Sequence, residues 1–346
     1  MTYAILQHPG HNRVYYKASV KLALAELMLA SGRMNTDCSD IKELDIEGIK
    51  YLSLETDGTL SKHDLDILCR LSFQFALYQY KKSDSSYTLY PIKKEAYEYI
   101  DPKISSLLKY QGKTNELFTK MMINVALLSS EYAYSDRIRL LDPVAGKGTT
   151  LYEAAVYGFD ALGVEIDLKL VHDANVFFKK FLEAERFKHH TDNRRVGGSN
   201  KTDAVYMEEF AFAPGKEEFK EEENRRKLGI VCGNTMDLQR YFKKESFHLI
   251  VGDLPYGIAH SSTAKHQSNT RNPSQLLEAS LDNWKMVLRK GGTVVLAWNT
   301  FLVSRKELSE IFSKKGFFVF TDYPYTEFEH RVDKSIKRDI IVAKKV

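Results

Sequence analysis

Cysteine is scarce. Cys38, Cys69 and Cys232 are the only three in 346 residues, and no two of them form a C-x-x-C pair. That pattern supports neither a disulfide framework nor a zinc site, and buried inert thiols are the expectation. Long apolar runs are missing as well: no window approaches the roughly 18 consecutive apolar residues of a membrane span. The opening "MTYAILQHPGHNRVYY" lacks the basic and continuously apolar regions of a signal peptide, so a cytoplasmic protein with no membrane partner is expected. Nor is charge of one sign in excess. Lys and Arg number 50 against 46 Asp and Glu, a net charge of +4 that permits a nucleic-acid partner through local patches without arguing for one. No internal repeat is visible. What remains is a globular composition, 43% hydrophobic and 28% charged, long enough for one large domain and a smaller one.

The first 95 or so residues alternate in character. "YAILQ", "IKYLSLE", "FQFALYQY" and "YTLYPI" read as strands, and "ASVKLALAELMLASG" and "KHDLDILCRLS" as amphipathic helices. The order β-α-β-α-β-β predicts a small N-terminal α+β domain of ferredoxin-like type over 1–95. From Lys93 to about Ser135 the pattern becomes helical, with 96–135 a helical linker and Leu117, Met121, Met122, Val125 and Leu128 on one helix face. Five strand candidates follow: "IRLLDP", "DALGVEI", "LGIVCG", "FHLIVGD" and "TVVLAW". They are apolar throughout, as strands buried on both faces of a parallel sheet should be. Helical segments such as "TTLYEAAVYG" and "SQLLEASLDNWKMVLRKG" separate several of them. Two further strands, "FFVFTDYPY" and "RDIIVAKK", close the chain with no helix between. A doubly wound, seven-stranded α/β domain over 136–346 is therefore expected. An insertion at about 179–226 starts basic and ends mixed and acidic. Its charge fits a solvated helix or a mobile loop; Lys188, Arg194, Arg195 and Lys201 are alternatively placed to meet phosphates.

Three stretches of the large domain carry chemistry. "LLDPVAGKGTTLYEAA" passes from a buried strand through two glycines into a helix, bringing backbone N–H groups to the carboxyl edge of the sheet, where ligands of such folds bind. A triphosphate-binding loop would need glycine at Leu141 and a hydroxyl at Gly148, and a dinucleotide fingerprint would need a small residue at Leu151; both readings fail. What is left is D-P-x-x-G-x-G, with Asp142 accepting hydrogen bonds and Gly146 and Gly148 admitting an amino-acid-bearing nucleoside; Val144 and Thr149 belong to the same loop. "GVEID" follows, where Glu165, flanked by Ile166, is placed to accept both ribose hydroxyls. In "VCGNTMDL", Asn234 is the adenine-edge candidate, with Thr235 or Met236 flanking the ring. In this order the three point to S-adenosylmethionine as cofactor, with no metal required.

The fourth stretch is "GDLPYG". Alone it reads as a strand ended by a proline–glycine turn. With "DPVAGKGT", "GVEID" and "GNT" ahead of it, the chain resembles the Rossmann-like S-adenosylmethionine-dependent methyltransferases that act on exocyclic amino groups of nucleobases. "DLPYG" is similar to their [DNS]-P-P-[YF] motif. The nearer resemblance is to the tRNA guanine-N2 methyltransferases that modify position 10; the ending "EHRVDKSIKRDIIVAKK" is similar to that group too. The resemblance covers about Thr114 to Val346. The first 95 residues resemble the N-terminal domain of such enzymes in element order only, and a recognisable THUMP domain is missing. It implies methyl transfer to guanine N2 in tRNA or another structured RNA, the alternative being adenine N6 in DNA or RNA, and an RNA-docking role for 1–95. A monomer is the favoured expectation. An exocyclic amine is a poor nucleophile that must be oriented. Asp253 would accept one N–H and the Leu254 carbonyl the other, Pro255 would stiffen the turn, Tyr256 would offer a stacking face, and Gly257 would leave room for the backbone. In these enzymes the segment before the first strand often covers the methionine end of the cofactor, which makes Asn115 and Phe118 candidates. The polar stretch after the motif, with Lys265, His266 and Arg271, reads equally as a closing loop and as a plain connection.

Overall fold

The computed structural model describes residues 1–8, 13–84, 86–110, 113–133, 135, 137–198, 204–255 and 273–346, with the backbone alone for 13–18. The chain divides into two units, Met1–Tyr97 with Thr321–Arg338, and Glu98–Phe320 with Asp339–Val346.

The N-terminal unit begins β1 (Thr2–Gln7), α1 (Arg13–Ser31), β2 (Cys38–Ile46), β3 (Ile49–Thr56), α2 (Lys62–Arg70), β4 (Gln74–Ser83) and β5 (Ser86–Ile92). Its sheet runs β2-β3-β1-β4-β5, every neighbouring pair antiparallel. The expected order lacked β2. The reason is local: a register shift between Ser39 and Lys42 breaks the two-residue period, so the half-buried Cys38, Ile41 and Leu44 recur every third residue rather than every second. Helix α2 starts where sequence signals say it should, for Ser61 accepts from the Asp64 N–H while the Asp64 carboxylate accepts from the Ser61 N–H. Residues 321–338, expected within the large domain, join α1: Lys21 pairs with Glu327 at 3.1 Å and the Tyr323 hydroxyl lies 2.8 Å from the Met28 sulfur.

The second unit continues with α3 (Lys103–Leu107), α4 (Glu116–Ser129), β6 (Arg139–Asp142), α5 (Thr149–Val156), β7 (Asp160–Glu165), α6 (Leu168–Ala184), β8 (Lys188–Gly197), β9 (Val205–Ala213), α7 (Lys216–Lys220), β10 (Arg226–Cys232), α8 (Leu238–Tyr241) and β11 (Phe247–Asp253). Then come α9 (Pro273–Val287), β12 (Leu288–Asn299), α10 (Arg305–Lys314), β13 (Phe317–Val319) and β15 (Lys337–Lys345), while β14 (His330–Arg331) falls in the 321–338 segment of the first unit. Among the described residues between Lys93 and Ser135, only α3 and α4 are helical, not the whole stretch.

The large sheet runs β13-β15-β12-β11-β6-β7-β10-β9-β8, with β14 pairing β15 to make ten strands rather than seven. Its centre, β12-β11-β6-β7-β10, is parallel, and β13 is antiparallel to β15. Side chains alternate between two buried faces. On one, Leu141, Ile250 and Val294 join Leu281 and Trp284 of α9 and Phe312 of α10 in one apolar cluster. On the other, the Thr293 hydroxyl donates to the Ala126 carbonyl of α4 at 2.7 Å. An α/β unit with helices on both faces of a mixed sheet results, as the apolar runs led one to expect. Among the described residues no helix is long and apolar enough to cross a membrane.

The charged insertion contains a pair of strands that neither a solvated helix nor a mobile loop anticipated. Antiparallel strands β8 and β9 extend the sheet beyond β10. Met207, Phe210 and Phe212 of β9 are buried, whereas β8 is the sheet edge, and the charged side chains of an edge strand point to water and blunt further pairing. Arg194 pairs with Glu209 at 3.3 Å and the Arg195 guanidinium donates to the Gly197 and Gly198 carbonyls, which removes much of the case for free phosphate-binding groups there. Lys188 is exposed, and Lys201 lies outside the described residues.

Candidate active site

Strand β6 is followed in sequence by β7 on one side of it, while β11 lies on its other side, so the carboxyl ends of β6 and β11 flank the point where strand order reverses. Open α/β sheets bind ligands there because the loops leaving the two strands part in opposite directions.

The loop after β6 is held by its own acid. Asp142 is buried, and its Oδ1 accepts from the Val144 N–H at 3.0 Å. Gly146 and Gly148 adopt φ of +52° and +86°, the left-handed region that a side chain would strain. Gly148 precedes the first turn of α5, and a Cβ there would come within 3.0 Å of the Tyr152 ring. A Cβ on Gly146 would meet nothing within 4 Å. Bare backbone therefore faces open space at Gly146, as a closely approaching ligand requires.

Glu165, at the end of β7, ties this loop down. Its Oε2 accepts from the Gly146 N–H and its Oε1 from the Asp167 N–H, both at 2.9 Å. The Ile166 N–H also bonds this carboxylate, which leaves capacity for a further donor. Ile166 next to it is 48% exposed, an apolar surface beside a charged group. At the end of β10, the Asn234 side-chain oxygen accepts from the Met236 N–H at 3.0 Å and starts a short 3-10 turn. Thr235 is buried, and its hydroxyl and carbonyl both accept from the Trp284 indole N–H at 3.1 Å. An indole buried from the opposite face needs an acceptor, and Thr235 is the one in reach.

Strand β11 brings the second carboxylate alongside the first. A Cβ on Gly252 would come within 3.0 Å of Asp142 Oδ1 and 3.3 Å of Val144, so glycine lets the two strand ends close up. Asp253 follows, its Oδ2 accepting from the Thr114 hydroxyl at 2.5 Å. Leu254 is anchored twice: its N–H donates to the Ala297 carbonyl at 2.9 Å and its side chain lies in the core. Pro255 is exposed. Tyr256, Gly257 and the stretch with Lys265, His266 and Arg271 lie outside the described residues.

The segment ahead of α4 reaches both loops, but through other residues than expected. The Asn115 side-chain oxygen accepts from the Leu117 and Phe118 N–H groups at 2.9 and 3.2 Å, so it caps α4. Phe118 is fully buried. Instead Thr114 meets Asp253, and the Tyr110 hydroxyl lies 3.1 Å from that of Thr149. The Lys147 ammonium sits 5.4 Å from the centre of the Tyr110 ring and 3.2 Å from Asp173. Tyr110 and Asp173 carried no sequence signal. A threonine just ahead of a helix cap was visible, but its partner lies 139 residues away.

These acids form one electrostatic unit. Burial pushes the Asp142 carboxyl up to about 7, and the charges of Glu165 and Asp253 push the same way. Burial likewise raises Glu165 and the Tyr110 phenol, the latter with added repulsion from Asp142 and Asp253. A cation placed beside Asp142 and Glu165 relieves the repulsion between them. The open cradle at Gly146, the carboxylate of Glu165 and the exposed apolar Ile166 suit a nucleoside carrying positive charge, so the residues fit S-adenosylmethionine.

Solved structures similar to the chain include TrmN from Thermus thermophilus, with 11% identity, a TM-score of 0.44, and coverage of 100% of this chain and 99% of that one. A putative rRNA-methylase from Clostridium thermocellum has 12% identity and a TM-score of 0.35, covering 60% and 89%. A TehB-like SAM-dependent methyltransferase from Corynebacterium glutamicum has 15% identity and a TM-score of 0.33, covering 60% and 80%. No curated protein is similar enough to count as a match. The family described as RMKL-like, methyltransferase domain matches residues 123–324, more than half of the chain and including β6 to β12. The protein belongs to that family, and it is a methyltransferase whose cofactor is S-adenosylmethionine.

Proposed function

We propose that the protein methylates an exocyclic amino group of a nucleobase, guanine N2 in tRNA or another structured RNA. The observation that carries this reading is Asp253: a carboxylate at the end of β11, brought beside the Asp142 loop by a bare Gly252 and held by the Thr114 hydroxyl. The similarity of "DLPYG" and of the chain's ending to the guanine-N2 group supports guanine as the base and RNA as the carrier. On this reading residues 1–97 form a ferredoxin-like unit that docks RNA.

Bound S-adenosylmethionine supplies a methyl group activated by a positively charged sulfur. The chain's own groups do the rest. The Gly146 loop and Glu165 hold the nucleoside part, Glu165 accepting from a ribose hydroxyl with the lone-pair capacity its backbone partners leave, and Ile166 and Asn234 border the adenine. Asp253 accepts one N–H of the acceptor amine and the Leu254 carbonyl the other. This turns the amine lone pair away from conjugation with the ring and toward the methyl group. Leu254 is suited to that task because its N–H and side chain are both anchored. When the amine becomes cationic, Asp253 receives the proton it then sheds. Rate comes mainly from positioning, which is worth up to roughly 7 to 11 kcal/mol of barrier.

Mass spectrometry of nucleosides from tRNA and ribosomal RNA, with and without the gene, tests the reading. Loss of N2-methylguanosine from a defined RNA is expected. Loss of N6-methyladenosine alone would overturn guanine in favour of adenine.

Asp142 sets a pH dependence. With its carboxyl raised to about 7, the site is largely protonated below that pH. A cationic ligand favours the ionised form, so binding below about pH 7 must release a proton. Affinity for S-adenosylmethionine should weaken as pH falls, by up to about tenfold per unit, and level off above. Asp142→Asn should flatten the profile. Calorimetry in buffers of different ionisation enthalpy checks this, and no proton release at about pH 6 would count against it.

A further inference from the structure

The N-terminal sheet has two unlike faces. Register and alternation place Tyr3, Ile5, Leu52, Leu54 and Leu77 on one. Both helices cover that face. The Tyr3 hydroxyl accepts from the Leu60 N–H just ahead of the α2 cap, and Glu26 of α1 accepts from the Ser72 N–H just after α2.

The other face gathers aromatic rings. Tyr51 lies across β1 from Ala76, and Tyr78 and Tyr80 stand opposite Ala4 and Thr2. Ala4, Ile46 and Tyr51 form a cluster of their own with Tyr78, Tyr80 and Leu89 packed against it, and among the described residues neither helix contributes to it. Tyr80 and Tyr87 stack with centroids 6.3 Å apart and planes 16° from parallel. The Lys82 ammonium stands 5.7 Å from the centre of the Tyr87 ring, and Tyr87 is 42% exposed. From Tyr80 to Lys94 the chain carries Lys81, Lys82, Lys93 and Lys94 against Asp84 alone, and within the β4–β5 pair alternation places Lys82 on the face of Tyr80 and Tyr87 and Lys81, over the Tyr90 ring, on the opposite one. Ring faces beside ammonium groups are what unpaired nucleotides bind: bases stack on the rings and phosphates meet the cations. A docking face for another protein's apolar surface would have little use for that local excess of lysine.

We infer that this face, around Tyr80, Tyr87 and Lys82, docks unpaired nucleotides of the RNA substrate. The inference rests on the reading of the protein as an RNA methyltransferase and adds where the RNA is held.

The test uses the full chain and a fluorescein-labelled single-stranded RNA of about 12 nucleotides, within the span of known single-strand sites. Binding is followed by anisotropy across a salt series. Tyr80→Ala and Tyr87→Ala should each weaken it by about tenfold, whereas Tyr80→Phe and Tyr87→Phe keep the ring and should bind like wild type. Lys82→Gln should reduce the slope of log affinity against log salt by about 0.7. Calorimetric affinity for S-adenosylmethionine should be unchanged in all five, and thermal unfolding should keep the transitions of the wild type, showing that both units are folded. Wild-type protein that methylates RNA while the alanine variants bind as tightly as it does would overturn the docking face and leave the methylation reading standing. Wild-type protein that neither binds nor methylates any RNA would overturn both, and assign the face to a protein partner.

Discussion

Asp253→Ala should lower kcat for methyl transfer by roughly a hundred- to thousandfold, the loss typical of removing a group that acts on the reacting centre. Affinity for S-adenosylmethionine should stay within about threefold, because the Gly146 loop and Glu165 remain in place; a hydrogen bond to Asp253 that mattered to the cofactor would cost more than that. The split follows from position. Asp253 ends β11, across the strand-order reversal from Glu165, and its carboxylate accepts from the Thr114 hydroxyl, whereas Glu165 accepts from the Gly146 N–H of the loop proposed to cradle the nucleoside. Thr114→Val supplies a graded companion. It keeps the shape of the side chain and removes the hydroxyl that fixes the carboxylate, so kcat should fall by about tenfold with KM for cofactor unmoved, and Thr114→Ser should restore it. Single-turnover kinetics together with calorimetry separate the two effects. Full turnover in Asp253→Ala would move the acceptor site elsewhere, and an equal loss of cofactor binding would make Asp253 part of the cofactor pocket instead.

Glu165→Ala should produce the opposite pattern, with affinity for S-adenosylmethionine down by about 30- to 100-fold and kcat at saturation little changed, as expected when one charged hydrogen-bonding group of about 2 to 3 kcal/mol is lost. Two things disappear together. The ribose loses an acceptor, and the Gly146 and Asp167 N–H groups lose theirs, which loosens the loop that should receive the ligand. Glu165→Gln keeps one amide-accepting oxygen and should fall between alanine and wild type. Thermal unfolding without ligand distinguishes a loosened loop from a lost contact, since only the former lowers Tm in the free protein. Unchanged affinity in Glu165→Ala by calorimetry would remove Glu165 from the cofactor site.

What could be read from sequence was local. Each of "DPVAGKGT", "GVEID", "GNT" and "GDLPYG" is a strand end with the turn that follows, and a strand buried on both faces announces itself by an unbroken apolar run. The fold class, the order of strand-end groups and the cofactor were therefore legible within windows of ten residues. Other features depended on pairing across long separations, which no window contains. The Asp253 carboxylate is oriented by a threonine 139 positions earlier, and Glu165 holds the Gly146 amide 19 positions away. Thr235, read as a flank of the site, is drawn into the core by an indole 49 residues downstream. Asn115 is taken by its own helix. The charged insertion hid a hairpin because an edge strand shows its charge to water while its partner buries the apolar side chains. By itself the sequence determined which groups stand at the ends of which strands. Only the tertiary structure decided which of them meet, because hydrogen bonds across the sheet are closed by packing of distant segments and not by the residues beside them.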